Sequence, residues 1–188
     1  MGIITKSQLA RETSSFTKAF SLNESFSRST AATTVFLSHK HSDLKEVKEL
    51  KRLLLQLNVK IYVDWLDPDM PKETRGETAI KIKQKIKQNK KFILLATDDA
   101  VDSKWCNWEL GFGDGEKYKS DEIALFPLRE DSKAWKGSEY MQIYPTIEYE
   151  DGTSKNNAGA YIAKGYYVFQ PSVNGSRSYK SLKSWLTK

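Results

Sequence analysis

The chain has 188 residues, which is enough for one domain with a sizeable core and flanking extensions. Its 39% hydrophobic and 29% charged residues are typical of a soluble globular protein, and no apolar run is long enough to span a bilayer. The single cysteine excludes an internal disulfide, and with only two histidines a structural zinc site is not expected. Because the first residues also lack the apolar stretch of a signal peptide, we expect a cytoplasmic protein.

The net charge is +6, and the lysines cluster between Ile80 and Lys91. A basic surface can attract nucleic acid or an anionic membrane. The aromatic residues do not alternate with these lysines, as the stacking platforms of single-strand binders do. We therefore interpret the run as the solvated face of a helix, and we expect neither nucleic acid nor a membrane as a partner.

Residues 1–32 are rich in serine and threonine and are predicted to form an N-terminal extension. The apolar residues that recur there at roughly helical spacing are Leu9, Phe16 and Phe20. They predict a helix over Ser7–Phe20, after which Ser21–Ala32 has the composition of a linker.

The first regular unit is a strand, a helix and a second strand. Thr33–Ser38 is rich in β-branched and aromatic residues, which predicts a strand. Asp43 with Glu46 three residues later predicts a capping box at the start of the helix. Val59–Val63 is the next predicted strand, so the unit should be a right-handed crossover within a parallel sheet.

A long polar loop is predicted over Asp64–Gly76, and loops of this length are usually functional or mobile. Thr74 and Glu77 have the spacing of a second capping box, so a helix should begin near Glu77. The next strand is predicted over Lys91–Ala96.

The segment after that strand carries the most informative pattern. Asp102 or Ser103 can cap a helix on which Trp105 and Glu109, four residues apart, share a face. A carboxylate there would lie near the carboxyl ends of the strands, where α/β folds bind their ligands. The alternative is a solvated glutamate beside a core tryptophan.

Three glycines follow: Gly111, Gly113 and Gly115. Because glycine costs about 1 kcal/mol in a helix interior, we expect the helix to stop or bend there.

The remaining elements are shorter. Glu122–Leu128 is a predicted strand, with Pro127 marking its end or an edge. A short strand is expected within Tyr140–Ile147, and another over Tyr166–Phe169. Ser178–Leu186 should close the chain as a helix.

Three of these segments resemble motifs of TIR domains, in the correct order. Val35–His39 with Ser42 and Asp43 resembles the first box, and Val63–Trp65 with the following loop resembles the second strand and BB loop. Asp102–Leu110 resembles a Ser-x-Trp-Cys-x-x-Glu-Leu motif that is clear in plant members. The match covers roughly residues 33–130.

The resemblance implies a flavodoxin-like α/β fold, in which a central parallel sheet has helices on both faces. It places the TIR domain at residues 33–150. Residues 1–32 and 151–188 are then extensions, and the second is expected to pack on the domain.

The resemblance also implies an activity. Many TIR domains cleave NAD between nicotinamide and ribose, and the catalytic glutamate of that family falls on Glu109. Similarity in size to TIR proteins of the Thoeris antiphage system implies synthesis of a cyclic ADP-ribose isomer that activates a partner effector after a phage-derived trigger. NAD is then a substrate, and no cofactor or metal is needed.

The residue types suit this chemistry. A carboxylate opposes the positive charge that develops on ribose when a glycosidic bond breaks. Trp105 could wall the pocket against water, and Ser38, His39 and Lys40 should face the same crevice, with Lys40 pairing with pyrophosphate. Trp65 is the remaining predicted substrate-binding residue.

Each assignment has an alternative. Ser38 could simply end its strand, His39 and His41 could be plain loop residues, and Trp65 could anchor the loop to the core. Cys106 is expected to pack as a small hydrophobe rather than to act as a nucleophile. At the level of the protein, the alternative is a non-catalytic TIR adaptor that acts by association; if the protein is an enzyme, self-association on activation is expected.

Overall fold

The computed structural model describes residues 1–14, 33–71, 76–171 and 178–188. Phe16, Phe20, Thr74 and the whole expected linker Ser21–Ala32 lie outside the described residues.

Strands and helices alternate through most of the chain. The strands are β1 (Ile4–Thr5), β2 (Thr34–Ser38), β3 (Lys60–Tyr62), β4 (Lys91–Ala96), β5 (Ile123–Arg129), β6 (Thr146–Glu150), β7 (Gly165–Phe169) and β8 (Tyr179–Ser181). The helices are α1 (Lys6–Ser14), α2 (Leu44–Gln56), α3 (Gly76–Gln88), α4 (Asp98–Val101), α5 (Lys104–Lys117) and α6 (Leu182–Thr187).

All described strands join one sheet in the order β3-β2-β4-β5-β6-β7-β8, with β1 paired to β5. The pairs from β3 to β6 are parallel, whereas β7 and β8 are antiparallel. Leu9, Leu50 and Trp185 bring α1, α2 and α6 to one face, and Ile82 and Leu110 bring α3 and α5 to the other. The predicted α/β fold, a largely parallel sheet covered on both faces, is confirmed.

The two flanking segments extend this sheet. β5 and β6 pair only at Leu125 and Thr146, and the N-terminal segment fills the space beyond that pair. β1 runs parallel to the end of β5, while Gly2 bridges Tyr149 of β6. At the other end of the chain, Trp185 of α6 is fully buried in the core. The division of the chain at residues 32 and 150 stays a prediction, but hydrogen bonding crosses both boundaries.

Asp43 does not cap α2, contrary to the predicted capping box. Its side chain makes no capping hydrogen bond and is buried, and it accepts a hydrogen bond of 2.5 Å from the Thr97 hydroxyl. Thr97 in turn caps α4, because its Oγ accepts from the backbone N–H of Ala100 at 3.1 Å. Asp43 therefore links the loop after β2 to the loop after β4.

Of the expected stop or bend at the three glycines of α5, the stop is wrong, since the helix continues to Lys117. A Cβ atom at Gly113 would lie 3.0 Å from the Phe92 ring, so the absent side chain lets α5 lie close to β4. Packing against the sheet thus outweighs the low helix propensity of glycine.

Three shorter predictions need adjustment. Pro127 lies inside β5, at the last residue pair with β4, and the strand then continues beside β1. Within the Tyr140–Ile147 window, Glu139–Ile143 forms a 3-10 helix before β6 begins at Thr146. The closing helix is shorter than predicted, because the residues just before Leu182 form strand β8.

Candidate active site

The site lies where β2 and β4 end and α5 begins. Ser38 is the last residue of β2 and pairs with Leu94 of β4, two residues before β4 ends at Ala96. Ser103 caps α5, with its Oγ accepting from the Cys106 N–H at 3.4 Å. This cap sets the start of α5, and Glu109 then faces back toward β2.

Ser38 and Glu109, which were predicted to face the same crevice, contact each other directly. The Ser38 hydroxyl donates to Oε2 of Glu109 at 2.5 Å. Both side chains are buried, and Glu109 is only 3% exposed. The solvated-glutamate alternative is therefore wrong.

The environment of Glu109 favours the neutral acid. Burial raises the pKa of Glu109 from 4.5 to about 8, and the nearby Asp64 carboxylate acts in the same direction. Hydrogen bonds from Ser38 and Trp105 favour the ionised form but do not offset the burial. A carboxyl group with so displaced a pKa in a cleft is a candidate for chemistry.

A cleft of about 460 Å³ opens above this pair. Its walls include His39, Lys40, Asp64, Ser103 and Trp105, which come from the ends of β2 and β3 and the start of α5. Neither Ser38 nor Glu109 lines the cleft itself, but Ser38 precedes the lining residue His39, and Glu109 accepts a hydrogen bond from the lining residue Trp105. The structure thus brings five of the six predicted site residues together: Ser38, His39, Lys40, Trp105 and Glu109.

His39 is held firmly in the cleft wall. Its Nδ1 lies 3.1 Å from the carbonyl oxygen of Leu37, and its Nε2 lies 3.8 Å from Oδ1 of Asp64. Burial lowers the pKa of His39, and the Asp64 carboxylate only partly opposes that effect. Burial therefore favours the neutral imidazole, and a buried His39 differs from the plain loop residue of the alternative.

The two predicted aromatic residues lie in different places. Trp105 lines the cleft and contacts Trp108, with ring centroids 5.0 Å apart. Trp65 packs instead against the core cluster that contains Leu53 and Val63. The structure does not bring Trp65 into the cleft, in agreement with its alternative role as an anchor of the loop.

Asp64 is the site residue that sequence reasoning did not single out. It lies in the cleft wall, and its charge acts on His39, Glu109 and Tyr62. Its place within the second TIR-like motif, shortly after a predicted strand, was the available signal. The loop that follows is held to α3, because Asp67 accepts from the Tyr62 hydroxyl at 2.8 Å and pairs with Lys85 at 2.8 Å.

Cys106 lies beside the cleft but is poorly suited to nucleophilic attack. It is buried, and burial raises the pKa of its thiol to about 11. Only the thiolate is a strong nucleophile, so the expected role as a packed small hydrophobe fits the structure.

The model of the TIR domain family matches residues 35–160, about two thirds of the chain. This protein belongs to the TIR domain family. The match contains both β2 with Ser38 and α5 with Glu109.

Two relatives of this TIR protein are informative. A Bacillus cereus (strain MSX-D12) protein named "Probable 3' cyclic ADP-D-ribose synthase ThsB'" is 27% identical over 162 residues, which cover 81% of this chain and 74% of that protein. A Cytobacillus dafuensis protein named "Putative cyclic ADP-D-ribose synthase TIR2" is 32% identical over 81 residues, which cover 42% of this chain and 21% of that protein. The first alignment extends well beyond the TIR match, so the resemblance to ThsB' includes part of the flanking segments.

Within its described ranges, this TIR protein has no helix that is both long and apolar enough to cross a bilayer. The same ranges contain no group of three or more histidine, cysteine or carboxylate side chains arranged to hold a metal ion.

Proposed function

We propose that this TIR protein cleaves NAD at the bond between nicotinamide and ribose and closes the remaining ADP-ribose into a cyclic product. The observation that carries the proposal is the buried Glu109 carboxyl group, which accepts a hydrogen bond from Ser38 beneath a cleft lined by Lys40 and Trp105. The names of both relatives, which contain the words cyclic ADP-D-ribose synthase, support the same reaction.

The displaced pKa of Glu109 suits this substrate. The nicotinamide ring of NAD carries a positive charge, and an opposite charge close to a carboxyl group favours its ionised form. Substrate binding would therefore convert the neutral acid into a carboxylate where positive charge then develops on ribose. The Ser38 hydroxyl, already directed at Oε2, would stabilise that carboxylate.

The neighbouring residues take roles consistent with their places. Lys40 pairs with the pyrophosphate of NAD, and Trp105 forms a wall that limits water near the ribosyl cation. Excluding water favours attack by a group of the ADP-ribose itself, which gives a cyclic product. We propose that this product acts as a signal from the cytoplasm to an effector protein in antiphage defence, after a phage-derived trigger.

The first test is Glu109→Gln. Glutamine retains the size and can still accept from Ser38, but it cannot carry the negative charge. Loss of a central electrostatic stabiliser typically lowers turnover by about 10²–10³. We expect nicotinamide release and cyclic product to fall by this factor, measured by chromatography of NAD reactions with purified protein and with extracts of phage-infected cells.

Glu139→Gln is the matched control, because Glu139 is an exposed glutamate in the 3-10 helix between β5 and β6. It should behave like the wild type. Wild-type turnover by the Glu109→Gln variant would remove the basis of the proposed chemistry.

The second candidate function is a non-catalytic adaptor. The burial of Glu109, which is only 3% exposed, favours this function, because a substrate can contact the carboxyl group only after that burial is relieved. An adaptor would leave NAD intact both with purified protein and with extracts of phage-infected cells.

We further propose that self-association through the loop between β3 and α3 promotes activity. The described part of the loop is held through Asp67, whose partners Tyr62 and Lys85 are half-buried, so a neighbouring subunit could reorganise it. Specific activity should then rise with protein concentration, in step with oligomer formation measured by sedimentation. Full activity of a protein that sediments as a monomer would contradict this prediction.

A further inference from the structure

One polar atom in the cleft wall lacks the partner that its burial calls for. His39 is 8% exposed, and within the described ranges its Nε2 has no hydrogen-bond partner. The nearest carboxylate oxygen, Oδ1 of Asp64, lies 3.8 Å away, which is beyond hydrogen-bond distance. Buried polar groups are nearly always satisfied, so such an atom in a cleft is a candidate for contact with a ligand.

The other ring nitrogen determines what Nε2 can do. Nδ1 lies 3.1 Å from the carbonyl oxygen of Leu37, and a carbonyl oxygen can only accept. The imidazole must therefore carry its proton on Nδ1, which leaves a lone pair on Nε2. His39, which lines the cleft together with Trp105, thus holds a fixed and buried proton acceptor.

The cyclisation proposed above contains a step that needs such an acceptor when the ring closes on a hydroxyl group. Cleavage breaks the bond between ribosyl carbon and nicotinamide nitrogen, and the electron pair leaves with neutral nicotinamide. The hydroxyl oxygen then bonds to the ribosyl carbon and its O–H bond breaks, which releases one proton. Water can pass such a proton to neighbouring water, whereas a hydroxyl group enclosed in a cleft needs a base.

We propose that His39 is this base, accepting on Nε2 the proton of the hydroxyl group that closes the ring. The proposal rests on the proposed function and adds a residue that acts in ring closure but not in nicotinamide release. Asp64 stabilises the imidazolium that forms, because its carboxylate is the nearest opposite charge. The imidazolium then returns the proton to solvent.

Several charged or titratable groups surround His39. Asp64 follows β3, His41 and Asp43 lie in the 3-10 turn after β2, and Lys40 is its chain neighbour. The helices contribute Thr78 from α3 and Cys106 from α5 to the cleft wall, and the raised pKa of the Cys106 thiol keeps it neutral. Asp64 is therefore the group whose charge most favours protonation of His39, while burial opposes it.

The test compares His39→Gln and His39→Asn with the wild type, under conditions in which the wild type releases nicotinamide. Glutamine places a non-basic polar end near the position of Nε2, and asparagine retains a donor to the Leu37 carbonyl group. Nicotinamide and cyclic product are measured in the same reactions across pH, with thermal melts to establish folding. His41→Gln is the matched control, since His41 is an exposed histidine two residues further along the chain.

General bases contribute about 10²–10⁴ to the steps they serve, so cyclic product per nicotinamide should fall at least about tenfold in both His39 variants while nicotinamide release persists. In the wild type and His41→Gln this ratio should decline as the pH falls through the His39 pKa, which lies below its ordinary 6.5. The His39 variants should lose that dependence.

Two results would overturn the inference while the proposed function stands. One is an unchanged product ratio at every pH in folded His39→Gln and His39→Asn. The other is loss of nicotinamide release together with the cyclic product, which would assign His39 to cleavage. Absence of nicotinamide release by the wild type itself would instead overturn the proposed function, and this inference with it.

Discussion

Glu109 carries a stability cost that follows from its burial. A rise in its pKa from 4.5 to about 8, at about 1.4 kcal/mol for each pH unit, corresponds to roughly 5 kcal/mol between the neutral and ionised forms. Because the pKa of Glu109 is higher in the folded protein than in the unfolded chain, the contribution of Glu109 to the free energy of unfolding is complete below pH 4.5. It is lost as the pH rises through about 8. The Glu109 carboxyl group, which is proposed to stabilise positive charge on the substrate, thus lowers the free energy of unfolding at alkaline pH.

Glu109→Gln should therefore stabilise the protein at alkaline pH, although it abolishes the proposed activity. Glutamine cannot ionise, so the variant should escape the loss of stability between pH 5 and pH 9 that the wild type undergoes. Thermal melts of both proteins across this range are the measurement, with Glu139→Gln as the surface control. Parallel pH profiles for wild type and Glu109→Gln would show that burial does not displace this pKa.

At the scale of the helix, α5 shows how contact with the sheet decides the role of a glycine. Gly113 faces the Phe92 ring, whereas the Cβ positions at Gly111 and Gly115 have no atom within 4 Å. All three glycines have the same low helix propensity, but only Gly113 permits the close approach of α5 to β4 that positions Glu109.

Alanine substitutions at these glycines should have opposite effects. Gly111→Ala and Gly115→Ala should stabilise the protein by roughly 0.5–1 kcal/mol each, because alanine loses less backbone entropy in a helix. Gly113→Ala should destabilise it by about 1–3 kcal/mol, since its Cβ would lie 3.0 Å from Phe92. Denaturant unfolding of the three variants measures this contrast, and a gain at position 113 would show that Phe92 moves freely aside.

At the scale of the whole molecule, the N-terminal segment is part of the framework around the TIR match. β1 pairs with β5, and α1 packs on α2 through the buried Leu9. Thr13 of α1 is also buried and donates to the Leu9 carbonyl group at 2.9 Å. Removal of this segment would expose an apolar face of α2 and unpair the end of β5.

Deletion of residues 1–20 should therefore lower the melting temperature or change the oligomeric state. Leu9→Ala is the finer test and should cost roughly 2–5 kcal/mol, the usual range for deleting a buried leucine side chain. Arg11→Ala, on the exposed face of α1, is the matched control and should stay within about 0.5 kcal/mol. Unchanged melting, sedimentation and activity after the deletion would show that α1 contributes nothing to the fold.

The sequence alone was sufficient for the features that depend on local pattern. The strands β2, β4 and β5 are short apolar runs, and the parallel arrangement follows from the strands and helices that alternate between them. Because the carboxyl ends of parallel strands lie at one edge, Ser38 and Glu109 could be expected to face the same crevice although 71 positions separate them. The motif around Glu109 carried the family resemblance.

Tertiary structure decided everything that depends on which distant residues pack together. It placed Trp105 in the cleft and Trp65 in the core, and it inserted β1 beside β5 more than 120 positions along the chain. It also decided the protonation of Glu109, because desolvation is a property of the surrounding atoms and not of the local sequence. Helical spacing predicts which side chains share one face of a helix, whereas the burial and charge of those side chains depend on the atoms that pack against that face.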